Sequence, residues 1–159
     1  PCGKIRIPLN ESTDDKSQIE AYLHKYKGEG IQHIAVGTEA IFDATDRLAD
    51  NGLKFMPGPP DAYYDLSQSR VNGHSEPLDR MKAHGVLIDG EGVFDDKNGD
   101  RMTKILLQIF SKTVIGPIFF EFIQRKGDEG FGEGNFRALF ESIEEEQIRS
   151  GELTSPAAE

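Results

Sequence analysis

The spacing of hydrophobic and polar positions in the first third of the chain predicts two strands and two helices. Alternation predicts a strand at 4–8 (KIRIP), and a short apolar run predicts another at 31–36 (IQHIAV). Apolar residues at helical spacing predict helices at 14–28 (DDKSQIEAYLHKYKG) and 39–52 (EAIFDATDRLADNG). The second helix is predicted to turn the following residues inward: Ile41, Phe42, Ala44, Leu48 and Ala49.

The middle of the chain is predicted to supply a helix and three strands. Residues 57–76 are rich in turn-forming residues and carry no regular pattern. A helix is predicted at 76–85 (EPLDRMKAHG), with Ser75 as a possible N-cap. Two strands flank a polar turn within 86–110, and a further strand is predicted at 116–127 (GPIFFEFIQRKG).

A C-terminal amphipathic helix is predicted over residues 135–151 (NFRALFESIEEEQIRSG). Its apolar positions follow helical spacing: Phe136, Leu139, Phe140 and Ile143. From residue 31 onward the predicted order is therefore a strand, a helix, three strands with an inserted helix, and this terminal helix.

Composition and charge narrow the class of protein. With 159 residues and 36% hydrophobic content, the chain suits one domain with its own core. A formal net charge of −10 disfavours nucleic acid and anionic membranes as partners, because both would repel the chain. The single cysteine, Cys2, cannot form an internal disulfide, and no apolar run approaches the roughly 18 residues of a membrane span. These features predict a soluble protein in the reducing cytoplasm.

The two ends of the chain carry further expectations. The chain begins PCGKIRIPLNE, without an initiator methionine or a signal-peptide pattern, and enters a predicted strand almost at once. We therefore expect that upstream residues of the same domain precede Pro1. Residues 153–159 are small and polar, which predicts a disordered tail.

Two residues that can bind metals interrupt apolar strands. His33 lies in IQHIAV, and Glu121 lies in IFFEFIQ, where an unpaired charge would be costly. On this pattern alone His33 is a packed core histidine, a base or a metal ligand. Glu121 is either one half of a structural ion pair or a metal ligand. A histidine and a carboxylate on separate strands are two members of the facial triad that holds non-haem Fe(II).

A third ligand of such a triad is not evident among the other histidines. His24 lies on a charged helix, His74 in a turn and His84 near a helix end. Each is predicted to be a solvated surface residue. We therefore expect the missing ligand upstream of Pro1.

Three glutamines stand beside apolar residues and could serve a polar substrate. These are Gln18, Gln32 and Gln108. Buried amides need hydrogen-bond partners, which either the backbone or a substrate can supply.

Four motifs resemble one enzyme family in their order and spacing. GIQHIAV, LLQIF, GPIFFEFIQRKG and GFGEGNFRALFESIEEEQIRSG are similar to the C-terminal part of the bacterial 4-hydroxyphenylpyruvate dioxygenase family. The resemblance covers about residues 3–152. It implies an α+β fold of the vicinal-oxygen-chelate type, in which βαβββ modules form an open barrel with a C-terminal lid helix. Residues 1–152 would then be the C-terminal part of an iron-binding catalytic domain, followed by the tail 153–159.

The resemblance also implies roles for individual residues. His33 and Glu121 match the family's second histidine ligand and carboxylate ligand of Fe(II), and the first histidine ligand belongs to a preceding module. Gln18, Gln32 and Gln108 match catalytic-site glutamines. The residues that match the substrate pocket and lid are Asn10, Phe110, Phe119, Phe131, Asn135, Phe136 and Leu139.

The implied reaction converts 4-hydroxyphenylpyruvate and O2 to homogentisate and CO2 in tyrosine catabolism. Two histidines and one carboxylate leave three of six positions on Fe(II) for a bidentate 2-oxo acid and O2. The family further implies a homo-oligomer.

Two alternatives to this activity stay open. A relative, 4-hydroxymandelate synthase, uses the same substrate, but Phe136 favours the dioxygenase because mandelate-forming relatives tend to carry a smaller aliphatic residue there. The other alternative is that this chain by itself is a non-catalytic structural fragment, because the first histidine ligand is expected outside it.

Overall fold

A computed structural model of the chain describes residues 5–9, 11 and 18–135. Its helices are α1 (Gln18–Tyr26), α2 (Ile41–Asp50), α3 (Asp61–Asp65), α4 (Ser67–Arg70) and α5 (Leu78–His84). Its strands are β1 (His33–Gly37), β2 (Leu87–Asp95), β3 (Arg101–Phe110) and β4 (Phe119–Lys126). The order β1, α2, β2, β3, β4 confirms the predicted βαβββ unit and the α+β class.

The four strands form one mixed sheet in the order β1-β4-β3-β2. β1 runs parallel to β4, whereas β3 is antiparallel to both β4 and β2. β2 and β3 form the predicted hairpin, and residues 96–100 connect them. The pairing of β1 with β4 joins segments far apart in the sequence. It places the strand that contains His33 against the strand that contains Glu121.

The two faces of the sheet differ in composition. One face joins the hydrophobic core, whose members include Ile88, Leu107 and Ile109 of the sheet, Ile41 of α2 and Met81 of α5. Each of these residues is at most 1% exposed. Because successive side chains of a strand alternate, His33, Gln108 and Glu121 lie on the other face. The core therefore supports one side of the sheet and leaves the candidate chemistry on the other.

Residues 57–76, predicted to be irregular, contain two short helices that reach the core. α3 and α4 have five and four residues, too few to show helical periodicity in a sequence. Tyr63 and Tyr64 of α3 are 0% and 2% exposed, and their rings meet edge to face with centroids 5.2 Å apart. Aromatic burial therefore anchors a segment whose polar composition predicted a loop.

The predicted strand at 4–8 is not formed by its described residues. Residues 5–9 have no regular structure, and Ile5, Ile7 and Leu9 are 80–93% exposed. A strand requires a hydrogen-bonded neighbour, and none of the four described strands pairs with this segment. Arg6 connects this segment to Glu129 through an ion pair with the side chain and a hydrogen bond to the backbone carbonyl.

Two details of the helices also differ from the prediction. Ser75 does not cap α5: the N-cap is Pro77, with no side-chain bond to the described helix terminus. In α2, Thr45 is buried and Ala49 is exposed. Beyond its first residue, the predicted helix 135–151 lies outside the described residues. Among the described helices, none is long and apolar enough to cross a membrane.

His74 is buried, and the prediction of a solvated surface residue was wrong. It is 4% exposed, and its Nδ1 accepts a hydrogen bond from the backbone N–H of Glu76 at 3.2 Å. Its Nε2 has no hydrogen-bond partner among the described residues. Burial lowers the pKa of His74, the Glu76 charge opposes this shift and Arg70 adds to it. The fold therefore favours a neutral imidazole at this position.

We expect acid to destabilise the protein partly through His74. A histidine with a lowered pKa binds fewer protons in the folded than in the unfolded chain. The free energy of unfolding therefore falls as the pH drops below the ordinary value of 6.5. His74→Gln removes this titration and should flatten the acid limb of the stability curve. Urea unfolding over a pH series measures both slopes, and equal slopes would contradict the expectation.

Candidate metal centre

β1 and β4 bring His33 and Glu121 together on one face of the sheet. In the parallel register His33 lies opposite Phe119, and Ala35 lies opposite Glu121. Nε2 of His33 and Oε2 of Glu121 are 3.5 Å apart. The two metal-capable residues recognised in the sequence thus form a pair.

Burial shifts the pKa of both members of this pair. Glu121 is 5% exposed, and burial raises the pKa of its carboxyl group. A hydrogen bond from Gln108 and the charge of Arg125 oppose that shift. Burial also lowers the pKa of the half-buried His33. A neutral imidazole beside a desolvated carboxyl group suits a metal ion, whose charge would stabilise the carboxylate form.

Gln32 and Phe119 orient the His33 ring. Nδ1 of His33 lies 3.3 Å from Oε1 of Gln32. The imidazole also stacks on the Phe119 ring, with centroids 5.2 Å apart and an angle of 20° between the planes. Because an amide oxygen only accepts, Nδ1 must carry the proton in this bond, which leaves the lone pair of Nε2 free. Metal-binding histidines typically hold their tautomer in this way.

Gln108 holds the Glu121 carboxylate from the other side. Its Nε2 donates to Oε1 of Glu121 at 2.6 Å and to the Phe131 carbonyl at 3.0 Å. Nδ2 of Asn135 donates in turn to Oε1 of Gln108. Gln108 and Asn135 are 2% and 3% exposed. The carboxylate is therefore tied to the segment that follows β4.

Three of the predicted aromatic residues lie in the described chain. Phe110 is the cross-strand partner of Glu121, and its ring is edge-on to Phe119 at 6.0 Å and 79°. Both rings are half-buried, and Phe131 is 43% exposed. Phe110 and Phe119 therefore give the His33–Glu121 pair an apolar border.

The other predicted site residues lie outside what the structure describes. Asn10, Phe136 and Leu139 are not among the described residues. Of Gln18, the structure gives its position at the start of α1 and not its side chain. Their roles stay predictions.

The described donor atoms fit part of an Fe(II) site. Within residues 5–9, 11 and 18–135, no group of three or more His, Cys, Asp or Glu side chains is placed to hold a metal ion. An imidazole nitrogen and a carboxylate oxygen are nevertheless two of the three donors in the facial triad of non-haem iron enzymes. His33 and Glu121 fit those two positions.

A sequence model of a known family matches more than half of the chain. It is the model of the Glyoxalase/Bleomycin resistance protein/Dioxygenase superfamily, and the match covers residues 1–99. The chain belongs to this superfamily. The βαβββ order of the described elements agrees with the fold that the family resemblance implied.

Curated relatives within the superfamily match nearly all of this chain. It is 60% identical over 151 residues to 4-hydroxyphenylpyruvate dioxygenase from Pseudomonas aeruginosa, a match covering 95% of this chain and 40% of that protein. It is 59% identical over 155 residues to "Hemolysin VllY" from Vibrio vulnificus, a match covering 98% of this chain and 41% of that protein. The chain thus spans about two fifths of the length of these relatives.

Two solved structures share the superfamily fold with this chain. A triple mutant of 4-hydroxymandelate synthase from Streptomyces coelicolor has a TM-score of 0.58 at 32% identity, covering 82% of this chain and 34% of that chain. A fusion of a xylose isomerase-like TIM barrel with 4-hydroxyphenylpyruvate dioxygenase has a TM-score of 0.63 at 29% identity. This match covers 91% of this chain and 22% of the fusion protein.

Two residues that support the site were missed in the sequence. The hydroxyl of Tyr63 donates to Oδ1 of Asn135 at 2.7 Å, and the Arg70 guanidinium lies 4.5 Å from the centroid of the Tyr63 ring. Both residues come from the segment 57–76. The sequence feature that could have indicated a buried element here is the run AYY within an otherwise polar segment.

Gly132→Ala is expected to disturb the site through Gln108. Gly132 has φ +76°, and a Cβ there would overlap the side-chain amide of Gln108. Gly99→Ala is the matched control, because Gly99 has φ +85° and its Cβ would meet no atom of the described chain within 4 Å. Both variants carry backbone strain of about 1 kcal/mol. Gly132→Ala should lose more free energy of unfolding in urea, and equal losses would contradict the expectation.

Proposed function

We propose that the protein containing this chain is an Fe(II)-dependent dioxygenase. It converts 4-hydroxyphenylpyruvate and O2 to homogentisate and CO2, a step of tyrosine catabolism, as a cytoplasmic homo-oligomer. The observation that carries the proposal is the His33–Glu121 pair, 3.5 Å apart on the face bordered by Phe110 and Phe119. The 60% identity to the Pseudomonas aeruginosa dioxygenase supports the choice of substrate.

His33 and Glu121 would hold Fe(II) together with a further histidine. The bound metal would supply the Lewis acidity for the 2-oxo acid and the redox chemistry for O2. The chain's own residues prepare the ligands. Gln32 keeps the Nε2 lone pair of His33 free, and Gln108 occupies Oε1 of Glu121 and leaves Oε2 on the side of His33.

Gln108 is proposed to act on Glu121 and not on the substrate. Its two amide hydrogens serve Glu121 and the Phe131 carbonyl, and its oxygen accepts from Asn135. These bonds use both donors of the amide, so no donor remains for a substrate phenol. Phe110, Phe119 and Phe131 are proposed to contact the substrate ring, since aromatic rings favour edge-to-face and offset stacking.

Product analysis with the complete protein tests the proposed reaction. After anaerobic loading with Fe(II), addition of 4-hydroxyphenylpyruvate and air should give equal amounts of O2 consumed, CO2 released and homogentisate formed. The metal-free protein is the control and should consume no O2. If 4-hydroxymandelate formed instead of homogentisate, the reaction would be that of 4-hydroxymandelate synthase. A mutant of that enzyme is 32% identical to this chain. Absence of O2 uptake by the loaded protein would overturn the proposal.

A further inference from the structure

A continuous chain of hydrogen bonds, here called the relay, runs from Tyr63 of α3 through Asn135 and Gln108 to the Glu121 carboxylate. Tyr63 donates to Oδ1 of Asn135 at 2.7 Å. Asn135 donates to Oε1 of Gln108, and Gln108 donates to Oε1 of Glu121 at 2.6 Å. All four residues are at most 5% exposed. Bonds in such surroundings are stronger than at the surface, and a missing partner costs more.

The direction of this relay is set at both ends. An ionised Glu121 only accepts hydrogen bonds. At the other end, the backbone N–H of Ile88 donates to Oη of Tyr63 at 2.9 Å, and the Ile88 carbonyl accepts from Nη2 of Arg70 at 3.2 Å. Oη of Tyr63 is 2.7 Å from Oδ1 of Asn135 and 3.1 Å from the Ile88 carbonyl oxygen. Because the contact with Asn135 is the shorter one and the Ile88 carbonyl also accepts from Arg70, we assign the single proton of Tyr63 to Asn135.

This direction determines how the two amides are turned. A side-chain amide rotated by half a turn exchanges its donor and acceptor. With its oxygen bonded to Tyr63, Asn135 must present its NH2 group to Gln108, and Gln108 must present its NH2 group to Glu121. A reversed Gln108 would place its oxygen against the carboxylate. The Tyr63 hydroxyl thus selects the amide orientation in which Glu121 is bonded.

We propose that Tyr63 is a positioning residue for the metal centre. Acting through Asn135 and Gln108, it holds the Glu121 carboxylate so that Oε2 stays on the side of His33. Arg70, 4.5 Å from the centroid of the Tyr63 ring, holds the phenol in place. The inference rests on the proposed function, because it takes Glu121 as a ligand of Fe(II). Asn135, predicted to bind substrate, would then support the metal ligand.

A purely structural role for Tyr63 predicts a different outcome. β2 lies at one end of the described sheet, and Tyr63 and Arg70 bond to its backbone at Ile88. If Tyr63 did no more than cover this edge, its loss would lower stability and leave metal affinity unchanged. Metal affinity therefore separates a structural role from a positioning role.

Tyr63→Phe in the complete protein removes the hydroxyl and keeps the ring. Tyr64→Phe is the matched control, since Tyr64 is buried in the same helix and its hydroxyl donates to the Met81 carbonyl at 3.3 Å. We expect Tyr63→Phe to weaken Fe(II) affinity about tenfold, as the loss of a group that supports a metal ligand does. It should also shift the absorption spectrum of the Co(II)-loaded protein. Tyr64→Phe should change neither. Unchanged affinity and spectrum in Tyr63→Phe would overturn the inference.

Asn135→Ala provides a second test, which remains available if Tyr63→Phe does not fold. It interrupts the relay one residue nearer to Glu121 and should weaken Fe(II) affinity at least as much. The double variant should bind Fe(II) like Asn135→Ala alone, because both changes break one relay. Fully additive losses would overturn the inference.

The inference and the proposed function fail in different ways. Homogentisate formation by the wild type, with equal Fe(II) affinity in Tyr63→Phe, would overturn the relay and leave the function standing. Weaker Fe(II) binding by Tyr63→Phe, with a wild type that makes another product, would support the relay and overturn the proposed reaction. A wild type that binds no Fe(II) would overturn both.

Discussion

Glu121→Gln in the complete protein is expected to abolish turnover and nearly abolish Fe(II) binding. Removing a residue that only hydrogen-bonds to a metal ligand typically lowers metal affinity roughly 10- to 100-fold. The loss in Glu121→Gln should be larger, because a neutral amide replaces the ligand carboxylate itself. The metal-free variant should be at least as stable as the wild type. Burial disfavours the charged carboxyl group and raises its pKa, and Gln108 can still donate to an amide oxygen. Anaerobic Fe(II) titration and urea unfolding measure the two effects.

Glu76→Gln is the matched control for this prediction. The side chains of Glu76 and Glu121 are both 7% exposed, but Glu76 pairs with Nζ of Lys126 at 2.6 Å. Its replacement should cost about 1 kcal/mol of stability, because a charged hydrogen bond is lost, and should leave Fe(II) affinity unchanged. If Glu121→Gln keeps its iron, or if both variants lose it equally, the pair of His33 and Glu121 is not the metal centre.

Gln108→Met is expected to lower both stability and metal affinity. Methionine has a similar length and cannot replace the three hydrogen bonds of Gln108. Oε1 of Glu121, the Phe131 carbonyl and Nδ2 of Asn135 would each lose a buried partner. At about 1 to 3 kcal/mol for each of the two buried groups, those of Glu121 and Asn135, the expected loss is about 3 kcal/mol. The Phe131 carbonyl belongs to a residue that is 43% exposed and adds little. Fe(II) affinity should fall about tenfold or more, because the carboxylate loses its support.

Gln68→Met is the matched control, because it replaces a glutamine that is not part of the candidate metal centre. Gln68 is exposed, and its Nε2 donates to the His74 carbonyl at 3.2 Å. We expect this variant to lose about 1 kcal/mol at most and to bind Fe(II) as the wild type does. Equal stability losses in the two variants would show that Gln108 is no more than an ordinary polar core residue.

Most of the fold could be predicted from local pattern. β1, α2, the hairpin of β2 and β3, and β4 each carry their own period or turn residues, and the structure has all of them. The prediction failed where local pattern carries little information. α3 and α4 are too short to show a period, and residues 5–9 alternate like a strand but have no strand partner among the described elements.

The candidate site was predicted in its residue types and not in its arrangement. His33 and Glu121 were recognisable because ionisable groups in apolar strands are costly and therefore need a partner. Their separation of 3.5 Å depends on the parallel pairing of β1 with β4, which no local pattern contains. Similarly, the sequence made Gln108 a candidate for contact with the substrate, whereas in the structure its three hydrogen bonds all go to groups of the protein.

Side-chain type and periodicity are local properties, and they were enough to identify the residues able to bind metal or substrate and the elements that contain them. Which of these residues come into contact depends on the tertiary structure. In the folded chain His74 is buried, and the Arg70 guanidinium lies over the Tyr63 ring. Hydrogen bonds connect Tyr63 through Asn135 and Gln108 to Glu121. Hydrogen bonds between distant segments depend on how strands and helices pack in space, and that packing is a property of the whole chain.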